Sequence, residues 1–510
     1  MRAPALSISN VLRAGATAAV AVALAVSLHA GQATSLFDAV RSGDAEAIRS
    51  VLDRHPDVNA READGTTALH WAVRGNDLPT VRALLRAGAK VNATNRYDVT
   101  PLALAAANGE PAMIAALLDA GADVNTTTPS GETVLMTASR TGNPDAVKLL
   151  LDRGADASAR EQDFGENAIM WAAAENHAAV VRLLAGHGAD LDAPANVLHF
   201  PNVKVDAATM VITALPKGGL TPLMYAARQG SLEAARTLAE LGANLNATDP
   251  DGMSAIVIAI INAHYGVAKM LAEKGADPNV ADASGMAAVY AAVDMHTMDP
   301  LTNRPSPRGN TSHAAVDLVA TLLAHGANAN AGLKAPLLPR QHNFGDAALG
   351  AGATPLMRAA RSGDVEMLNV LLDHGADVNR AMSSRMTALL FASTANRRKS
   401  PHDALAAAKI CVEHGADVNA QNAAGESALH LAVSTSDDLV RYLAEHGARL
   451  DVKDRQGRTP LDIALGVGTG GRGRGGVVAS PVVHESAAAL LRQLAAGAAS
   501  PATSTAAGIR

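Results

Sequence analysis

One phrase returns along the chain at a nearly fixed interval. "LLDAGADVN" spans 117–125, "LLDHGADVN" 371–379 and "CVEHGADVN" 411–419, with worn copies "LLDRGADAS" (150–158), "LLAGHGADLD" (183–192) and "MLAEKGADPN" (270–279). The glycines of these phrases keep time: Gly88, Gly121, Gly154, Gly188, Gly242, Gly275, Gly326, Gly375, Gly415 and Gly447. The base step is 33 residues, and the longer steps of 40 to 54 are that step plus an insertion. Self-similarity at such a period makes a chain of 510 residues one array of small units, not several globular domains.

A second phrase stays in phase with the first: "TALHWA" (67–72), "TPLALA" (100–105), "TPLMYA" (221–226), "TPLMRA" (354–359) and "TPLDIA" (459–464). Its Thr can cap a helix, and Pro is tolerated at the first helical position, where its missing N–H has no partner anyway. Leucine beside paired small residues makes a short helix with a thin face. Gly109, Gly142, Gly230 or Gly363 then ends it. A second helix carries paired leucines and stops at the Gly of "GAD", which enters the left-handed conformation without strain. One helix pair buries one face only, so the units must stack.

These phrases resemble the ankyrin repeat, "G-x-T-P-L-H-x-A" followed by "LL-x-x-G-A-D-V-N", over nearly all of 34–496. The resemblance implies an all-α repeat solenoid of about twelve stacked helix-turn-helix repeats with short β-hairpin fingers. The first copy (34–62) lacks the "TPLH" phrase and the last (457–496) lacks "GADVN", as caps would. Helix spacing would give a curved rod roughly 100 Å long. The family implies a concave surface, formed by fingers and first helices, that binds another protein. Capped solenoids of this kind are expected to be monomers.

The ends read separately. Arg2 and Arg13 precede the apolar run "AGATAAVAVALAVSL" (14–28), and small residues follow at "GQA" (31–33). That run is too short to span a bilayer and fits a signal peptide over 1–33, cleaved after Ala33. A retained anchor and a mitochondrial presequence are the alternatives. The expectation is an exported protein of bacterial type, periplasmic or secreted, with no membrane span after cleavage. Residues 497–510 read as a flexible tail. The formal net charge is −6, and −8 once Arg2 and Arg13 are gone, which argues against nucleic acid as a partner. The single cysteine, Cys411, falls in an apolar helical stripe and reads as core.

Five segments break the period. Those at 194–218 and 332–351 occupy finger positions; those at 296–312, 395–402 and 466–481 fall between the two helices of one repeat. The finger insertions are long for structureless connections and hold Phe200, Phe344, His199 and His342 in a chain that is 2% aromatic. Phe200 and Phe344 are therefore candidate partner contacts. The other three insertions read as tolerated drift, since lengthening a surface loop costs little.

Arg41, Arg74, Arg140, Arg228 and Arg361 share one repeat position, just after the small pair of the first helix. In the family this position faces the concave surface, so a broken basic stripe would suit an anionic partner. Against this stands arginine's plain suitability for an exposed helical site. Trp71 and Trp171 share another position and read as packing within the first-helix layer, or else as partner anchors. His187, His325, His374, His414 and His446 end second helices, where a polar group suits the helix dipole. His70 and His430 match the "TPLH" histidine. "GVGTGG" (466–471) follows a helix, not a strand, and is a loop, not a nucleotide site. No nucleophile, zinc or P-loop pattern is present, so neither cofactor nor metal is expected. The sequence points to a non-catalytic interaction scaffold. An envelope polyanion- or polysaccharide-binding protein and a secreted effector are the alternatives.

Overall fold

The computed structural model describes residues 35–198, 217–297, 312–336, 346, 348–396, 399–468 and 482–498. The signal segment 1–33, Phe200, Phe344, His199, His342, the larger part of the insertions at 194–218, 296–312 and 466–481, part of 332–351, and the tail from 499 on lie outside the described residues. The described residues form twenty-four helices in twelve consecutive pairs. The chain divides into two compact units, Met1–Asp123 and Val124–Arg510, a division that the period of the sequence does not announce. The first unit holds three pairs, from Leu36–Ser42 to Pro111–Asp119; the second holds nine, from Val134–Thr141 to Glu485–Ala498.

The pair over 354–375 shows how the residues dictate the unit. Thr354 accepts the N–H of Met357 through its hydroxyl at 3.3 Å, and Pro355 opens the helix Pro355–Ser362. Gly363 ends it at φ 76°. Asp364 caps the second helix, Val365–Asp373, through the N–H of Met367 at 3.1 Å. Leu356, Ala359 and Ala360 on the first helix and Met367, Leu368 and Leu371 on the second are buried. Within each unit, first helices pack on first helices and second on second.

Neighbouring pairs are also joined by an amide ladder. The Asn of "VN" donates to the carbonyl of the next copy's glycine and accepts the N–H two residues beyond it. In the first unit Asn59 grips Gly88 and Lys90, and Asn92 grips Gly121 and Asp123. In the second, Asn125, Asn279, Asn330, Asn379 and Asn419 repeat the grip on Gly154, Gly326, Gly375, Gly415 and Gly447, at 2.9 to 3.1 Å. Asn279 and Asn330 keep it across 47 and 45 residues, so the ladder continues past both insertions. Ser158 and Asp192 stand where the ladder asparagine would be, and only the accepting half survives at Asp192, which takes the N–H of Asn244 at 2.8 Å.

The β-hairpin fingers are smaller than the resemblance implied. Strands β1 (Val197–Leu198) and β2 (Lys217–Gly218) form the one antiparallel ribbon among the described residues, at the neck of the first finger insertion. There the backbone of Gly218 (φ 90°) comes so close to the Asn196 carbonyl that a Cβ would lie 1.9 Å from it. Other fingers reduce to tight turns with at most one bridge, such as Thr248–Ser254 and Gln421–Ser427. A side chain at the start of each turn takes the N–H groups that a longer ladder would use. Asp249 accepts from Asp251 and Met253, and Asp282 from Ser284 and Met286, at 2.8 to 3.0 Å.

One inter-helix insertion has a structural job. Lys399, from 395–402, is buried under Gly363, and its Nζ donates to the carbonyls of Phe391 and Ala392 at 2.8 and 2.6 Å. It thereby caps the helix Ala388–Ser393, so the segment is more than drift. Burial pushes its amine down to about 7. Cys411 is fully buried, and burial pushes its thiol up to about 12, as suits a core residue.

Removing one rung tests the ladder. Asn379→Ala deletes two exposed hydrogen bonds between neighbouring pairs and should destabilise the second unit by about 1–2 kcal/mol. Urea unfolding followed by circular dichroism reads this, and an unchanged midpoint would mean that water replaces the rung without loss.

Candidate functional site

Counting the N-cap residue of each first helix as position zero, Arg74, Arg140, Arg228 and Arg361 occupy position seven, and Arg41, six residues after its cap Ser35, takes the same place in the first repeat. Trp71, Trp171, Tyr225 and Phe391 occupy position four. Stacking brings position seven of one repeat over position four of the next. Where that next residue is aromatic, the guanidinium lies on its face: Arg41 on Trp71 at 4.7 Å, Arg140 on Trp171 at 4.7 Å and Arg361 on Phe391 at 5.7 Å. Where it is Leu104 or Ile258, the arginine turns back onto its own helix: Arg74 on Trp71 at 5.4 Å and Arg228 on Tyr225 at 4.7 Å. Cation–π attraction, worth about 0.5–1 kcal/mol at an exposed site, favours this over free rotation.

In the first unit, the Arg41 guanidinium is bonded to Glu62, and the same carboxylate accepts the indole N–H of Trp71 at 2.7 Å. Arg74 makes no ion pair among the described residues.

In the second unit, Glu166 accepts the indole N–H of Trp171 at 2.8 Å on one oxygen and the Tyr225 hydroxyl at 2.5 Å on the other. Both rings are thus fixed by one carboxylate. Burial, joined by this carboxylate, raises the Tyr225 phenol well above its ordinary range. Arg140 is exposed, and its nearest carboxylate, Glu132, lies 3.6 Å away. Arg228 is exposed and has no ion pair among the described residues. Arg361 is different: it makes a two-point bond to Asp346 of the second finger insertion. Burial works against the Asp346 charge, but the guanidinium outweighs it and holds the carboxyl below the usual range.

Trp171 packs against the buried cluster of Met170, Ala193, Ala195 and Tyr225, in keeping with the reading as first-helix-layer packing, and both tryptophan rings are half-buried, with the indole N–H bonded to a carboxylate and a guanidinium over the face. The arginines do not form an open basic stripe, because Arg41 and Arg361 are closed by Glu62 and Asp346. The repeat position was legible; the carboxylates that answer it come from fingers, where no spacing rule marks them.

The same relation between positions seven and four produces a buried pair. Asp294 stands at position seven and Arg358 at position four of the next repeat, bonded at 2.8 Å with their side chains 8% and 9% exposed. Tyr290, one turn before Asp294, is 1% exposed, and its hydroxyl has no hydrogen-bond partner among the described residues. Nearby His296 contacts Asp364 at 2.5 Å, a bond that raises the imidazole above its ordinary basicity.

Seven further histidines are structural. Nδ1 of His187, His325, His374, His414 and His446 lies 2.8 to 2.9 Å from the carbonyl four residues earlier, at the end of its helix. His70 and His430 are buried, accept the N–H of Thr67 and Ser427 on Nδ1, and face the carbonyls of Val99 and Arg458 on Nε2. Burial depresses both below the ordinary value and favours the neutral ring. Among the described residues no group of three or more His, Cys, Asp or Glu is placed to hold a metal ion. No described helix is long and apolar enough to cross a membrane.

A family model described as ankyrin repeats (3 copies) matches residues 36–128, 125–195, 202–282, 311–405 and 399–469. No curated protein matches the chain.

The buried pair supplies a test of the position rule. Asp294→Ala strands a buried guanidinium and should cost about 3–5 kcal/mol, while Asp294→Leu with Arg358→Met should recover most of it. Native-state hydrogen exchange over 288–296 measures both, and an equal loss in the single and double variants would contradict the pairing.

Proposed function

The chain belongs to the ankyrin-repeat family, whose repeats generally mediate protein–protein interaction and are typically non-catalytic, and on that footing we propose that it is an interaction scaffold or adaptor. It binds its partner through the first-helix face and the finger insertions 194–218 and 332–351. The observation that carries this is the set of guanidiniums held on aromatic rings at one repeat position. Arg is favoured at interface hot spots, and a guanidinium already fixed on a ring gives up little freedom when it is bound.

An anionic surface on the partner is the natural complement to those arginines that carry no close carboxylate. The envelope polymer-binding alternative asks for a longer run of free cations, and the closing of Arg41 and Arg361 weighs against it. We also place the mature chain outside the cytoplasm, in the periplasm or the medium. The support is the charged and apolar patterning of 1–33.

Crosslinking capture tests both parts. The full chain is produced in its native cells, and periplasm and medium are collected separately. A product beginning at Thr34 is expected there, crosslinked to one enriched protein that is lost when 194–218 and 332–351 are deleted. A cytoplasmic product still carrying residues 1–33 would refute export, and the absence of any enriched protein would refute the scaffold.

A further inference from the structure

We propose that the second unit carries a composite site for an extended acidic peptide segment that also bears a large apolar residue, with Arg140 and Arg228 as its two anion-binding points. This rests on the interaction-scaffold reading and names the chemistry of the partner.

The two arginines differ from Arg41 and Arg361 in what answers them. The carboxylate set between their rings, Glu166, is occupied on both oxygens by Trp171 and Tyr225. It fixes the platform and makes no ion pair with either cation among the described residues. Glu132 lies 3.6 Å from Arg140, beyond a good hydrogen bond, and already accepts the Thr137 hydroxyl at 2.8 Å. Arg228 has no ion pair among the described residues. Both guanidiniums rest on a ring at 4.7 Å, so their N–H edges are held in place and exposed. A guanidinium keeps its charge at any physiological pH, and its fork matches a carboxylate.

The repeat between them has Ala174 at position seven, so that copy adds no third cation to the two arginines. An extended chain with carboxylates spaced along it suits that arrangement better than a single small anion does.

A second feature lies on the adjoining fingers. Phe164 and Val197 are 52% and 40% exposed, and their fingers are joined by the Asn196 N–H donating to the Phe164 carbonyl at 2.6 Å. Large apolar side chains so exposed on neighbouring fingers are suited to an apolar anchor. Asp163, exposed beside Phe164, disfavours an acid at the fingertip itself. The geometry therefore orders the ligand, with its apolar residue beside Phe164 and Val197 and its acids on the arginines.

The test uses a fluorescently labelled oligo-glutamate peptide with one central leucine, and the same peptide without the leucine, titrated into residues 34–510 by anisotropy. The leucine peptide should bind, and raised salt should weaken it. Arg140→Gln and Arg228→Gln should each lower affinity about tenfold, the loss of one charge-assisted contact. Phe164→Ser should weaken the leucine peptide and not its companion. Arg182→Gln, on a second helix and paired with Glu240, should change nothing. Arg140→Glu with Arg228→Glu should lose oligo-glutamate and gain an oligo-lysine peptide, a swap that a misfolded variant cannot make. No binding by the unmodified chain, or unchanged binding by the arginine variants, overturns the site. A captured partner retained by the charge-reversed variant would likewise overturn it and leave the scaffold standing.

Discussion

A helix pair of this chain has two broad apolar faces, and folding on itself covers only one. The other must be covered by the next pair, and every regular feature of the structure follows from that need. Small residues in the first helix let neighbours approach. Glycines end each helix quickly enough to keep the units thin. The ladder asparagines tie backbone to backbone where apolar contact ends, each serving one donor and one acceptor of the adjoining copy. Insertions are tolerated because the ladder reads the spatial neighbour and is indifferent to the length of chain between, as Asn279 and Asn330 show.

The same stacking creates chemistry that no single repeat contains. Position seven of one repeat also meets position four of the next, and a pair of residues formed there is specified by two copies together. Filled with Arg and an aromatic ring, the meeting point yields an exposed, oriented cation. Filled with Asp and Arg, it yields the buried ion pair Asp294–Arg358. Such a pair contributes little net stability compared with an apolar replacement, yet it penalises any other neighbour or register. How closely an arginine is answered then differs from copy to copy: Glu62 and Asp346 bond theirs directly, Glu132 stands 3.6 Å from Arg140, and Glu166 is taken up by two ring donors.

Most of the fold was legible because it is written twelve times over. The caps at Thr354 and Asp364, the left-handed glycines and the Nδ1 bonds of His70 and His430 all rest on local physics that one repeat displays. The reduced fingers were harder, because Asp249 and Asp282 compete with strand pairing in a way that the phrase alone does not reveal. The site was half legible. The shared arginine position stood out, but its partners are neighbours in space at separations such as 64 residues for Asp294 and Arg358. Lys399 was hidden for the same reason: its acceptors are carbonyls, which carry no sequence signature.

Contact across repeat boundaries, from position seven to position four, shapes the exposed face. A double-mutant cycle on Arg140 and Trp171 tests it most directly, with Arg228 and Ile258 as the matched pair where the arginine turns away. The predicted result is a coupling of about 0.5–1 kcal/mol for the first pair and none for the second. Independent effects at Arg140 and Trp171, or equal coupling in both cycles, would contradict it.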